Sequence, residues 1–169
     1  MDMEQAIRTA MEYETKVRDV YRQAAADCGD TKGRRVFSVL ADEEQQHLDT
    51  LQQMLDEWKR DGRVNPTQLR SAVPPRVKIE AGVMKLKQPL EQKECPDEID
   101  LATRALEVEQ QTSDFYKRVV AELPPAQAEL FEPFVEIEQG HLALVRAELD
   151  HLQGMGFYFD YQEFDLESG

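Results

Sequence analysis

The feature that most constrains this chain is a polar pair lodged twice in an otherwise apolar helical stripe. In LADEEQQHL, Leu40 to Leu48, Glu44 and His47 stand three residues apart. Around them Val36, Phe37, Leu40, Leu48, Leu51, Leu55 and Trp58 recur at the three-and-four spacing of a helix face turned toward a core. FVEIEQGHLALV repeats the arrangement, with Glu138 and His141 in the gap of a stripe of Phe134, Val135, Leu142, Val145, Leu149 and Leu152. An ionised carboxylate without a partner in an apolar interior costs several kcal/mol, so such a pair belongs either in solvent or on a metal. Spacing alone is a weak signal, since Glu148 and His151 share it. What recurs is Glu-Gln-x-His-Leu inside the same apolar frame.

Two further stretches repeat each other. From Met3 to about Asp27 a helical face carries Ile7, Ala10, Met11, Val17, Tyr21, Ala24 and Ala25, with Glu14 at its centre. From Pro96 to about Leu123 a second such face carries Ala102, Ala105, Leu106, Tyr116, Val119, Val120 and Leu123, with Glu109 at its centre and Asp97 as helix cap. EYETKVRDVY and EVEQQTSDFY align, and in each the core Glu precedes a Tyr by two helical turns, about 10 Å along the same face. Tyr21 and Tyr116 can there hydrogen-bond a neighbouring carboxylate or serve as plain core residues. Glu12 and Glu107 fall on the opposite side and should face solvent. Glu43, next to Glu44, is placed to orient a histidine from behind, although Ile137 stands at the equivalent position of the repeat.

The turns set the heights. Cys28-Gly29-Asp30-Thr31 ends the first helix and starts the second, which stops at Gly62; Pro124-Pro125 ends the third and opens the fourth, which is expected to run to Gly154. A hairpin at Gly29-Asp30 brings Glu14 level with Glu44 and His47, and the turn at Pro124-Pro125 does the same for Glu109 against Glu138 and His141. Between the hairpins, Gly62 to Pro96 carries Pro66, Pro74, Pro75, Pro89 and Pro96 and reads as a long crossover with a short helix at most. Such a crossover lets helix 3 run parallel to helix 2. The predicted fold is all-α, an antiparallel four-helix bundle over residues 1–153 with crossover 62–96 and six ligands meeting midway. Four carboxylates and two neutral imidazoles carry the charge that two divalent cations cancel, and this mixed donor set suits iron or manganese better than a structural zinc site.

One Glu from each of two helices and Glu-x-x-His from each of the other two is the pattern of ferritin-like di-iron carboxylate proteins. Over nearly all of residues 3–153 the chain resembles their rubrerythrin-type members, through AMEYE…VY, LADEEQQHL and ALEVE…FY. The resemblance implies a di-iron centre held by Glu14, Glu44, His47, Glu109, Glu138 and His141, with manganese or zinc as substitute ions. Glu14 and Glu109 correspond to the carboxylates of helices 1 and 3, at least one of them bridging. It further implies an oxidoreductase that reduces hydrogen peroxide, or oxygen, while Fe(II) is oxidised; an iron carrier or ferroxidase with little turnover is the alternative. Two departures stand out. A rubredoxin domain holds iron on four cysteines, and with only Cys28 and Cys95 none can be built here, so an external electron donor such as a rubredoxin is implied. Thr112 occupies the place where the family carries an additional Glu.

The net charge of −14 argues against nucleic acid and anionic membranes as partners. MDMEQAIRTAM lacks the features of a signal peptide and no stretch reads as a membrane span, so a cytoplasmic protein with reduced thiols is expected, Cys28 and Cys95 lying toward the same end of the bundle. The segment 154–169 gathers Phe157, Tyr158, Phe159, Tyr161 and Phe164 without helical period. Its packing on the bundle or on a partner subunit, within a homodimer, is the expectation.

Overall fold

The computed structural model describes residues 1–66, 69–85 and 96–153, and among them every regular element is a helix. In chain order these are α1 (Met3–Asp27), α2 (Thr31–Asp61), α3 (Arg76–Lys85), α4 (Pro96–Glu122), α5 (Pro125–Ala128) and α6 (Glu132–Leu152). The four long helices form an all-α, ferritin-like bundle. None of the helices is long and apolar enough to cross a membrane among the described residues.

The ends of the first two helices follow from local chemistry. Asp2 caps α1 by accepting from the Gln5 N–H at 2.8 Å, and Asp30 caps α2 through the N–H groups of Lys32 and Gly33 at 3.1 and 3.0 Å. α2 ends where Gly62 takes φ 63°, a conformation that a residue without a side chain adopts freely. The turn between them is clasped from outside: Glu98, in the first turn of α4, accepts from Gly29 and Asp30 N–H at 2.7 and 3.0 Å. Because α4 already begins at Pro96, Asp97 and Glu98 are first-turn acids and Asp97 is not the cap expected from the sequence. There they favour the positive end of the helix dipole.

A second correction concerns the last helix, which is not continuous from Pro125. It breaks after α5 and restarts at Glu132. Pro133 is the cause: inside a continuous helix its ring would collide with the carbonyl of Glu129 and leave that carbonyl without a donor, so the helix begins afresh with the proline in its first turn. The break also turns Phe131 and Phe134 into the core, both at most 1% exposed. On α6 the buried stripe runs through Leu144, whereas Leu142, expected in the core, is only half-buried and faces the α3 side together with Ile79 and Val83.

α1 packs against both α2 and α4, and α6 packs against α4 and α3. Tyr21 reaches Glu109 while Tyr116 reaches Glu14, so α1 and α4 run in opposite directions, and α2 and α4 are parallel. Of the connection that this requires, residues 71–75 and α3 are described, and 67–68 and 86–95 lie outside the described residues. The core is split into two apolar clusters. One gathers Val17, Phe37, Leu40, Ala105, Val145 and Leu149; the other gathers Ile7, Leu51, Leu55, Phe115, Val119 and Phe134. Between them lies a polar layer. Cys28 is buried at the end of α1, and burial, followed by the nearby Glu98 carboxylate, pushes its thiol up to about 11, which leaves it protonated and unreactive at neutral pH. Cys95 and the aromatic segment 154–169 lie outside the described residues.

The Glu98 clasp makes a test of how the turn holds the bundle end together. Glu98→Ala removes a charged acceptor from two backbone donors and should cost about 2 kcal/mol in the free energy of unfolding measured by denaturant titration, whereas Glu98→Gln, which keeps one acceptor oxygen, should cost roughly half as much. A Glu98→Gln variant as stable as the parent would mean that the side chain acts through packing alone.

Candidate metal centre

Each side chain of the polar layer is aimed by helical periodicity. Glu14 comes from α1, Glu44 and His47 from α2, Glu109 from α4, and Glu138 and His141 from α6; each is at most 1% exposed. Within each Glu-x-x-His pair the two residues lie on the same helix face, and the antiparallel course of α2 and α6 crosses the pairs. His47 Nδ1 lies 2.9 Å from Glu44 Oε2, 3.3 Å from Glu138 Oε1 and 3.6 Å from Glu14 Oε1. His141 Nδ1 lies 2.8 Å from Glu44 Oε1, 3.8 Å from Glu109 Oε1 and 3.9 Å from Glu138 Oε1. The imidazoles face one another with their centroids 5.6 Å apart.

Two ligand sets result. Glu14, Glu44, His47 and Glu138 bring one donor atom each within 4.8 Å of one another, and so do Glu44, Glu109, Glu138 and His141. Glu44 and Glu138 belong to both sets, whereas Glu14 and Glu109 each belong to one, so the shared place expected of at least one of those two falls instead to the carboxylates of the Glu-x-x-His pairs. The hydrogen-bond inventory of these side chains points toward a filled centre. Both oxygens of Glu44 and of Glu138, one each of Glu14 and Glu109, both nitrogens of His47 and Nδ1 of His141 are buried without a hydrogen-bond partner. A protein interior tolerates that many orphaned acceptors only where an ion or protons fill the centre.

The electrostatics of the metal-free layer agree. Burial, then the charges of Glu138 and Glu44, push the Glu109 carboxyl well above the usual carboxylate range. Burial alone would lower the two imidazoles, but the surrounding carboxylates, Glu44 foremost, overcome it and hold His47 and His141 well above their ordinary value. Without metal the layer therefore takes up protons.

The tyrosines complete the layer. Tyr21 donates to Glu109 and Tyr116 donates to Glu14, each phenol crossing from its own helix to the carboxylate of the other. Burial and then the charge of those glutamates hold both phenols well above their usual range, so they act as donors only. Glu43 behaves differently from the ligand glutamates. It is buried, lies 2.8 Å from His141 Nε2, and accepts from the Ser71 hydroxyl at 2.6 Å and from the Ala72 N–H. Burial alone would raise its carboxyl, yet the hydrogen bond and charge of His141 with those of Ser71 and Ala72 bring it down to about 2. It is a satisfied, permanently ionised support. Thr112 is buried and donates to its own helix at Val108 O, so it offers the cluster no carboxylate. Glu12 and Glu107 are exposed, and His151 is half-buried near the end of α6, apart from both ligand sets. Ser71 and Ala72 were not singled out by sequence reasoning; they sit in an aperiodic, proline-rich stretch whose only signal is what it touches.

Residues 1–55, which hold α1, most of α2 and three of the six clustered side chains, match the rubrerythrin family model. Comparison with curated proteins and with solved structures finds no match. The family match and the buried Glu/His cluster together support a rubrerythrin-type, ferritin-like protein with a candidate metal site.

Because Glu109 and both imidazoles hold protons in the metal-free layer, loading should expel them. Titration of the metal-free chain with a divalent cation at pH 7 should release protons, seen as a dependence of the calorimetric heat on the ionisation enthalpy of the buffer, and affinity should rise with pH. Heats independent of buffer would contradict the protonated layer.

Proposed function

We infer that this chain of rubrerythrin type is a di-iron oxidoreductase that reduces hydrogen peroxide, with oxygen as a slower oxidant. The observation that carries the reading is the double ligand set with Glu44 and Glu138 common to both. Glu14, Glu44, His47, Glu109, Glu138 and His141 would hold the iron, and a pair of ferrous ions bound there would supply the two electrons that, with two protons, turn one hydrogen peroxide into two waters without setting a hydroxyl radical free.

The chain's own residues set the conditions for that chemistry. His47 and His141 each present Nδ1 to the centre, one for each ion, while the carboxylates of Glu14 and Glu109 are steadied by the phenols of Tyr116 and Tyr21. The apolar clusters on either side of the layer exclude water, which strengthens every electrostatic contact inside. The preference for peroxide rests on the likeness to rubrerythrin. An iron carrier or ferroxidase with little turnover is the second reading, favoured by Thr112, whose hydroxyl is turned back to Val108 where the family's additional carboxylate would stand.

In the same proposal the protein works in the cytoplasm as a homodimer and draws electrons from an external donor such as a rubredoxin. Its net charge of −14 keeps it from nucleic acid and anionic membranes.

Stopped-flow mixing of the anaerobic di-ferrous protein with each oxidant tests the reading. Peroxide should react faster than oxygen; oxygen reacting as fast would favour a ferroxidase, and no fast reaction with either would favour the carrier. Glu44→Ala and His141→Ala should each abolish the fast phase and leave the far-ultraviolet circular dichroism unchanged, because the remaining carboxylates take up protons when metal is lost.

A further inference from the structure

The ligand layer is nearly symmetric except in how its two histidines are held. Tyr21 on Glu109 mirrors Tyr116 on Glu14, and Glu44 with His47 mirrors Glu138 with His141. Behind His141, however, runs a continuous chain of contacts. Its Nε2 meets Glu43 Oε2 at 2.8 Å, and that oxygen accepts from Ser71 Oγ at 2.6 Å; the other oxygen of Glu43 accepts from the Ala72 N–H, and Ser71 Oγ accepts in turn from Val73 N–H at 3.0 Å. The segment that supplies these groups lies directly over α6, where a Cβ on Gly140 would stand 3.2 Å from Pro74 O, so the absence of a side chain beside His141 lets the segment come close.

Behind His47 there is nothing equivalent. Its Nε2 is buried and has no hydrogen-bond partner among the described residues, so that on the side away from the ligand carboxylates the ring meets only packing, edge-on to Phe134 at 5.4 Å. The sequence gives the reason: the position that carries Glu43 in one half of the repeat carries Ile137 in the other.

We propose that the two metal positions are unequal and fill in order, the one beside His141 first, with Glu43 and Ser71 as its positioning residues. The proposal rests on the two-metal reading above. A carboxylate that accepts from the far nitrogen of an imidazole fixes the tautomer with the near nitrogen free to bind, holds the ring plane and raises its basicity; losing such a partner lowers metal affinity by roughly 10- to 100-fold. His141 has this preparation. His47 must acquire its tautomer and orientation when the ion arrives. The segment 71–75 is thereby part of the metal centre, although none of its residues touches an ion.

The test is a zinc titration of the metal-free full-length chain, followed by calorimetry and by the ring-nitrogen resonances of its histidines in nuclear magnetic resonance. Two ions should bind per chain in two steps about 10- to 100-fold apart, with the His141 ring shifting in the first step and the His47 ring in the second. Before any zinc is added, exchange broadening should be smaller for His141 than for His47. Glu43→Gln and Ser71→Ala should weaken the first step by up to the same factor, the second residue less than the first, and leave the second step nearly unchanged. Two ions that move both rings together, or His47 first, overturn the order of filling, as does a Glu43→Gln variant that weakens both steps alike. Fewer than two ions per chain would overturn the two-metal reading itself, and the proposal with it.

Discussion

Everything in this fold is arranged around the cost of burying four carboxylates in one layer. Glu14, Glu44, Glu109 and Glu138 are each fully buried, and like charges at this separation in a low-dielectric interior cannot all stay ionised without cations beside them. The fold does not spread the cost. It concentrates the acids at one height and leaves both flanks apolar, so that a bound ion meets several carboxylates at once and little water. A helical bundle suits this because each helix returns a side chain to the same face every turn or two, and four helices each contribute one or two donors without any backbone amide or carbonyl being exposed to the layer.

Periodicity is what made most of this legible. A stripe interrupted by Glu44 and His47 can be read from residues 36 to 58 alone, and Tyr21 and Tyr116 were placed beside ligand glutamates by counting two turns from Glu14 and Glu109. The cross-pairing of those tyrosines, each with the glutamate of the other helix, depended on α1 and α4 running antiparallel, which the turn positions imply. Pro133 was legible too, since a proline nine residues into an expected helix must break it or begin it.

The remainder of the site depended on contacts between segments with no common period. Glu43 reads as one more acid beside Glu44, and its role follows only from His141 on a different helix and from Ser71 and Ala72 in the connection. The contrast between its two kinds of neighbour is instructive. The ligand glutamates have orphaned oxygens and Glu43 has none, so among these buried acids hydrogen-bond satisfaction separates a group that waits for a cation from one that supports a ligand.

The duplicated pattern explains both the symmetry of the layer and where that symmetry stops. The donor atoms are matched across the layer by the two Glu-x-x-His pairs and the two Tyr-Glu pairs. The groups behind the donors do not match. Glu43 is held because a neighbouring segment offers it a hydroxyl and an amide; Ile137, half-buried beside the same segment at Leu69, Ser71 and Val73, has no polar group to engage it. The inequality of the two histidines thus follows from a single connection crossing one side of the bundle, an asymmetry that a chain joining two similar helical hairpins cannot avoid.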